Sequence, residues 1–231
     1  QIAAGEVVER PLSVVKELAE NALDSGADKL TIEIVNGGLT SVVVSDNGSG
    51  IAAQDLPLAL QRHCTSKIDD AEQLLSLNTL GFRGEALASI AAVSRLSVIS
   101  RTVDDAHAWE LTGYYGDISE IKPAASYPVG TRVRVENLFE NTPARRKFQK
   151  QSRTEYLQIL QYLKQLAFCH DQVELTLVAD EKRALKAPKY VDLKTSQRRL
   201  QALFGREFSQ SALALDCEGL DFKVQGWIGQ G

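Results

Sequence analysis

Apolar positions recur at spacings of three and four near the start of the chain: Val8, Leu12, Val15, Leu18, Ala19, Ala22 and Leu23. That period predicts an amphipathic helix over 7–24. Pro11 falls in or near its first turn, where a missing N–H is tolerated. Ser25-Gly26-Ala27 closes it, with Gly26 in the left-handed position past the end. Two strands are expected next, Leu30 to Val35 and Ser41 to Ser45, with Asn36-Gly37-Gly38 as a hairpin turn between them. A polar turn follows, Asp46-Asn47-Gly48-Ser49-Gly50, then a helix at about 53–63 whose start Pro57 blurs. Residues 64–84 mix polar residues with Leu74, Leu75, Leu77 and Leu80 and show no clean period. A short small-residue helix is predicted over Glu85 to Val93, and strands at 96–101, 108–115 and 131–136. An amphipathic helix at 154–168, a strand at 173–179, a break at Pro188, a helix at 195–204 and strands at 212–216 and 221–228 complete the pattern. Helices and strands interleave without strict βαβ alternation. This favours an α+β layer sandwich, a mixed and mostly antiparallel sheet covered by helices on one face.

Composition narrows the partners more than the fold. Across 231 residues, 44% are hydrophobic and 24% charged, which is ordinary for a globular chain. Lys+Arg is 26 against Asp+Glu 30, a net charge of −4, so any nucleic-acid contact has to be a local patch. Cys64, Cys169 and Cys217 are odd in number, far apart and without a CxxC pair. They are read as reduced thiols of a cytosolic protein. His63, His107 and His170 do not cluster. No apolar run approaches the ~18–20 residues of a membrane span, and no signal peptide is legible. The chain contains no methionine and starts at Gln1, so it is expected to be part of a longer product.

Four constellations could carry chemistry. On the first helix Glu17, Asn21 and Asp24 lie within about 60° of one another, away from the Val15/Leu18/Ala19/Ala22 stripe. They form either a solvated polar face or a general base, Glu17, one turn from an Asn21 amide oxygen suited to Mg²⁺. Asp46-Asn47-Gly48-Ser49-Gly50 is an ordinary turn, or a carboxylate that accepts from the exocyclic amine of adenine, with glycines that let backbone approach a flat base. Gly81-Phe82-Arg83-Gly84-Glu85-Ala86-Leu87 is a loop closed by a helix N-terminus. It is neither a Walker loop nor a Rossmann fingerprint, yet it could offer backbone N–H groups to phosphate. Thr65-Ser66-Lys67 adds two hydroxyls and an ammonium upstream. Last, Arg145, Arg146, Lys147, Lys150 and Arg153 sit in a stretch, 142–153, without an acid. It is a solvated face, a lid anchor, or a contact to DNA phosphates.

The order of these signals, ExxxN on a helix, DxGxG after a strand, a Gly-rich helix start and Gly130-Thr131 before a strand, resembles the ATP site of the Bergerat-fold (GHKL) ATPases. That family includes gyrase-type topoisomerases, Hsp90 chaperones, histidine kinases and the MutL mismatch-repair proteins. IAAGEVVERP (2–11), VVKELAENALDSGA (14–27), RHCTSKI (62–68), GFRGEALASI (81–90) and NTPARRKF (141–148) are similar to the bacterial MutL branch, over almost the whole chain.

The resemblance implies an ATPase that uses ATP and Mg²⁺. In it Glu17 activates the attacking water and Asn21 holds the metal. Asp46, Gly50 and Thr131 line the base pocket. Thr65, Ser66, Lys67, Leu80, Gly81, Phe82, Arg83, Gly84, Glu85, Ala86 and Leu87 wrap the phosphates as a lid. It further implies that residues 1–10 support an ATP-dependent dimer of the chain with itself. The implied partners are a mismatch-recognition protein of MutS type, a strand-incision endonuclease, a helicase and DNA, in the bacterial cytoplasm at the nucleoid. Arg145, Arg146 and Lys150 are the candidate DNA contacts. With the composition break at about 185–195, the chain divides into an ATPase domain, 1–190, and the start of a transducer-like (ribosomal S5-like) domain, 191–231. The second-domain lysine that reaches the terminal phosphate in this family is expected beyond the last residue; Lys223 has no motif to support it. Two rivals stand beside this reading: a nucleotide-gated DNA-binding scaffold, and a histidine kinase module. TSKI and GFRGEAL do not suit the second, and no helix before the site presents a phospho-acceptor histidine.

Overall fold

A computed structural model describes residues 8–61, 86–219 and 223–229. The first helix, α1, spans Pro11–Asp24, not 7–24. Proline at its first position has no N–H to lose and a φ already helical, and Arg10 before it is fully extended (φ −165°, ψ 167°), so the helix cannot reach back to residue 7. β1 (Lys29–Val35) and β2 (Ser41–Asp46) pair antiparallel as expected. Their connection is a 3₁₀ turn over Asn36–Gly38 rather than a tight hairpin, with Asn36, Gly37 and Gly38 all at positive φ.

Of the helix expected at 53–63, the described part, to residue 61, holds one turn, α2 (Leu56–Ala59). Pro57 in its first turn is tolerated, but the Asp55 cap makes no side-chain hydrogen bond to support it. Only Leu56 and Leu60 are anchored in the core. The expected element over 85–93 is α3 (Ala86–Ala92); residues 62–85 lie outside the described residues. β3 (Arg95–Arg101), β4 (Trp109–Tyr114) and β7 (Gly130–Glu136) match their expected strands, and two short strands not anticipated, β5 (Asp117–Ile118) and β6 (Lys122–Pro123), pair with β4. Further along lie α4 (Pro143–Lys147), α5 (Ser152–Cys169), β8 (Glu174–Ala179) and β9 (Lys182–Ala187). The chain continues through α6 (Leu193–Phe204), α7 (Arg206–Ser211) and a separate ribbon of β10 (Leu213–Glu218) and β11 (Lys223–Ile228).

Among the described residues, nine strands make one sheet in the order β5-β4-β3-β7-β2-β1-β8-β9, with β6 also on β4. Among these described strands every pairing is antiparallel except β1 with β8. The period-two alternation puts Leu30, Ile32, Ile34, Val42, Val44, Leu96, Val98, Leu111, Val133, Val135, Leu175 and Leu177 on one face, all buried. The other face carries Glu33, Arg132 and Arg134, with a half-exposed Arg132–Glu33 ion pair at 3.8 Å. Helices therefore cover one face. α1 contributes Val14, Val15, Leu18, Ala19 and Ala22 to the core, and α5 contributes Ile159, Leu163 and Ala167. α6 docks beside them through Leu200, Leu203 and Arg199. The Arg199 guanidinium donates to the carbonyls of Ala167, His170, Val173 and Pro188. Four carbonyls in place of a carboxylate satisfy a buried cation's donors, though burial still pulls its pKa down.

Candidate functional site

The buried face of the sheet turns polar at one end, and the site is built there. Asp46 is the last residue of β2 and lies opposite Leu30, in phase with Val44 and Val42, so its carboxylate falls on the helix side of the sheet. In β7 the phase of Val133 and Val135 places Thr131 on the same side, and in β3 that of Leu96 and Val98 places Ser100 there. Three neighbouring strands thus bring Asp46, Thr131 and Ser100 together. The Thr131 N–H donates to Asp46 Oδ1 at 3.3 Å and the Gly48 N–H to the same oxygen at 2.9 Å. Ser100 Oγ lies 2.9 Å from Thr131 Oγ1, donates to the Gly130 carbonyl at 3.1 Å, and accepts from the Ile51 N–H at 2.8 Å. Burial pushes the Asp46 carboxyl above the usual carboxylate range, opposed by those two backbone donors.

The loop after Asp46 is held by close chain-to-chain contact, which explains its glycines. A Cβ on Gly48 would lie 1.8 Å from Ser25 Oγ, and one on Gly50 (φ +76°) 2.1 Å from the Arg101 carbonyl oxygen. Gly130 (φ +128°) is as tight, 2.2 Å from the Asp46 carbonyl oxygen. The Ser49 N–H donates to the Ser25 carbonyl at 3.0 Å. Asn47 Oδ1 accepts from the N–H groups of Asp28 and Lys29 at 3.1 and 2.8 Å. The loop is thereby stitched to the C-terminal end of α1, whose Glu17, Asn21 and Asp24 are all half-buried rather than lying on an open solvated face. Asp46 and Thr131 are in direct contact, and Gly50 is tied to the same strand ends; α1 stands over them.

Of the expected lid, Ala86 and Leu87 open α3, with Leu87 packed on the core. Thr65, Ser66, Lys67, Leu80, Gly81, Phe82, Arg83, Gly84 and Glu85 lie outside the described residues. Arg145 stands on α4 with its guanidinium 5.9 Å from the Phe139 ring centroid. Arg146, Lys147, Lys150 and Arg153 are exposed, and Phe148 among them is 87% exposed. Sequence reasoning missed Ser100, the hydroxyl that ties three segments together. Its signal was its phase: a serine two residues past Val98 on an otherwise apolar strand face.

Among the described residues no group of three or more His, Cys, Asp or Glu side chains could cage a metal ion. A hard amide oxygen from Asn21 suits Mg²⁺, which dehydrates reluctantly and takes its other ligands from water and phosphate. No helix of the described residues is long and apolar enough to cross a membrane.

Comparison with known proteins agrees with this arrangement. Residues 9–132 match the family described as histidine kinase-, DNA gyrase B-, and HSP90-like ATPase. The DNA mismatch repair protein MutL of Mannheimia succiniciproducens is 46% identical over 228 residues, 99% of this chain and 36% of the relative. MutL of Aeromonas hydrophila is 48% identical over 231 residues, again 99% of this chain and 37% of the relative. The chain thus spans little more than a third of the length of these relatives. Among solved structures, the Aquifex aeolicus MutL ATPase domain complexed with ADP superposes with a TM-score of 0.75 at 31% identity, covering 97% of this chain and 78% of that one. The N-terminal domain of a DNA repair protein superposes at 0.79 with 26% identity, covering 99% and 70%. On the motifs, the fold and these likenesses together, the chain belongs to the histidine kinase-, DNA gyrase B- and HSP90-like ATPases, in their MutL branch.

Proposed function

We propose that this chain binds ATP with Mg²⁺ and hydrolyses it slowly, and that the bound nucleotide acts as a switch in DNA mismatch repair. The observation that carries the reading is the half-buried Asp46 carboxylate at the polar end of the sheet, beneath the helix that bears Glu17 and Asn21. Both backbone donors to Asp46 bond Oδ1, so Oδ2 is the oxygen for a base's amino group. Thr131 and Gly50 are proposed to line the base pocket with it, since both lie at the strand ends around Asp46. Glu17 takes the proton of the attacking water as the general base. Asn21 holds the metal, which would supply charge neutralisation at the phosphates. Thr65, Ser66, Lys67 and 80–87 are proposed as the phosphate lid, on their hydroxyls, ammonium and glycines.

In this reading nucleotide-driven dimerisation through residues 1–10 couples mismatch recognition to strand incision and unwinding. The partners are a MutS-type protein, an endonuclease, a helicase and DNA. DNA is met in part by Arg145, Arg146 and Lys150. The division near residue 190 belongs to the same proposal, with α6 as the element by which the second unit grips the first. Base selectivity tests the core of it. A carboxylate facing guanine's carbonyl opposes two acceptors, and an unsatisfied buried acceptor costs ~1–3 kcal/mol, roughly tenfold to a hundredfold in affinity. ATP should outcompete GTP by that margin in a displacement assay; equal affinities would remove Asp46 from the base pocket.

A further inference from the structure

Glu155 occupies a position where α5 calls for an apolar residue. It precedes Ile159, Leu163 and Ala167 at intervals of four, and like them it is buried, at 0% exposure. Its carboxylate is met by Arg10 in a two-point fork, Nη2 to Oε1 at 2.9 Å and Nε to Oε2 at 3.2 Å. The same guanidinium donates to Gln158 Oε1, and Gln149 Nε2 donates to the Glu9 carbonyl at 3.2 Å. Arg10 is the N-cap of α1; its carbonyl accepts from the N–H groups of Ser13 and Val14 at 3.0 and 3.4 Å. A second tie lies further along the same two helices. Tyr162 Oη donates to Glu20 Oε1 at 3.5 Å, with Lys16 Nζ 5.8 Å from the centre of its ring. Glu17 lies on α1 between the two ties, near enough for its charge to help push the Tyr162 phenol upward, after burial and Glu20.

A buried ion pair is a poor way to add stability, because desolvation offsets most of the attraction. A planar fork does fix distance and angle. We propose that Arg10, Glu155 and Tyr162 are positioning residues, through which α5 splints α1 and holds Glu17 in line with the attacking water. The inference rests on the reading of Glu17 as the base. Small misplacements of reacting groups are worth up to ~10²-fold in rate. Turnover, KM, nucleotide affinity and unfolding midpoint are to be measured on the same chain with Arg10→Gln, Glu155→Gln, both together, Arg10→Lys and Tyr162→Phe, with Glu17→Ala alongside.

The two Gln variants should lower kcat by roughly tenfold to a hundredfold while nucleotide affinity stays within about twofold. The double variant should be no worse than the poorer single, since both remove one interaction. Arg10→Lys should recover part of the loss, and Tyr162→Phe should lower kcat about threefold or more with its unfolding midpoint unmoved. Wild-type kcat in a folded Gln variant overturns the proposal, as does parallel loss of kcat and affinity. Should neither Gln variant fold, wild-type kcat in both Arg10→Lys and Tyr162→Phe overturns it. Turnover that survives Glu17→Ala overturns the base reading and this proposal with it; loss in Glu17→Ala with none in the others overturns this proposal alone.

Discussion

Glu17 and Asn21 stand one turn apart on the same half-buried helix face, yet their proposed roles separate cleanly in a binding experiment. Removing the base with Glu17→Ala should leave Mg·ATP affinity nearly intact and cut turnover by ~10²-fold or more. Asn21→Ala should instead lose the Mg²⁺-dependent part of the affinity itself, read by titrating nucleotide with and without the metal. Asp46 allows a test that needs no nucleotide. Its carboxyl binds a proton more tightly folded than unfolded, because burial raises its pKa. For an acid shifted upward, the folded state holds more protons than the unfolded one. Stability therefore falls as pH rises from the ordinary carboxylate value through the raised one. Asp46→Asn keeps an oxygen for the Gly48 and Thr131 N–H groups and carries no charge. The variant should unfold later than wild type at neutral pH, with the gain vanishing below the ordinary carboxylate range, while nucleotide affinity is lost. Thermal melts across pH check this; a gain that is constant with pH would remove the buried charge from the account.

At the scale of elements, the site depends on strand ends meeting loops at distances only glycine allows. Gly130 begins β7 at φ +128°, with its α-carbon hydrogen against the Asp46 carbonyl. Gly130→Ala puts a methyl group where no space exists, in a backbone region that costs an L-residue about 1–3 kcal/mol. The expected result is a lower urea midpoint together with weakened nucleotide binding, since Thr131 and Asp46 share that contact. Gly26, also at positive φ, would meet nothing within 4 Å. Gly26→Ala there separates backbone strain from steric contact and should leave nucleotide binding intact. The helices divide along similar lines. α1 and α5 have long buried stripes; α5 matches its expected span closely, while α1 keeps its expected end and starts four residues later, at Pro11. α2 has one turn between Leu56 and Leu60, because tertiary anchoring rather than propensity decides so short a helix.

At the scale of the whole molecule, an acidic chain carries one strongly basic exposed stretch. A net charge of −4 repels a polyanion at long range, yet the field near Arg146, Lys147, Lys150 and Arg153 is set locally. Reversing Arg145, Arg146 and Lys150 should weaken DNA binding alike for all sequences. It should also flatten the dependence of log affinity on log salt by about 0.9 per lost contact on duplex DNA. An unchanged slope would assign the stretch to solvent or to the lid. Arg145 is the informative member, because its guanidinium also packs near Phe139 and its loss has a stability readout the others lack.

The sequence by itself determined a good deal: the helix that bears Glu17 and Asn21, the strands on either side of the site, the one-sided sheet, and strings specific enough to name the family. These are local, carried by period, turn chemistry and contiguous motifs, and need no knowledge of what lies across the fold. Only the tertiary structure decided that Ser100 ties Ile51, Gly130 and Thr131 together, that the glycines of the Asp46 loop are consumed by chain-to-chain contact, and that Arg10 meets a carboxylate 145 residues away. Nothing local to Arg10 or to Glu155 marks either as half of an ion pair. Their burial follows from two helices laid side by side, and Ser100 owes its role to register across three strands. Such contacts arise from packing and register between segments far apart in the chain, where no local spacing carries the information.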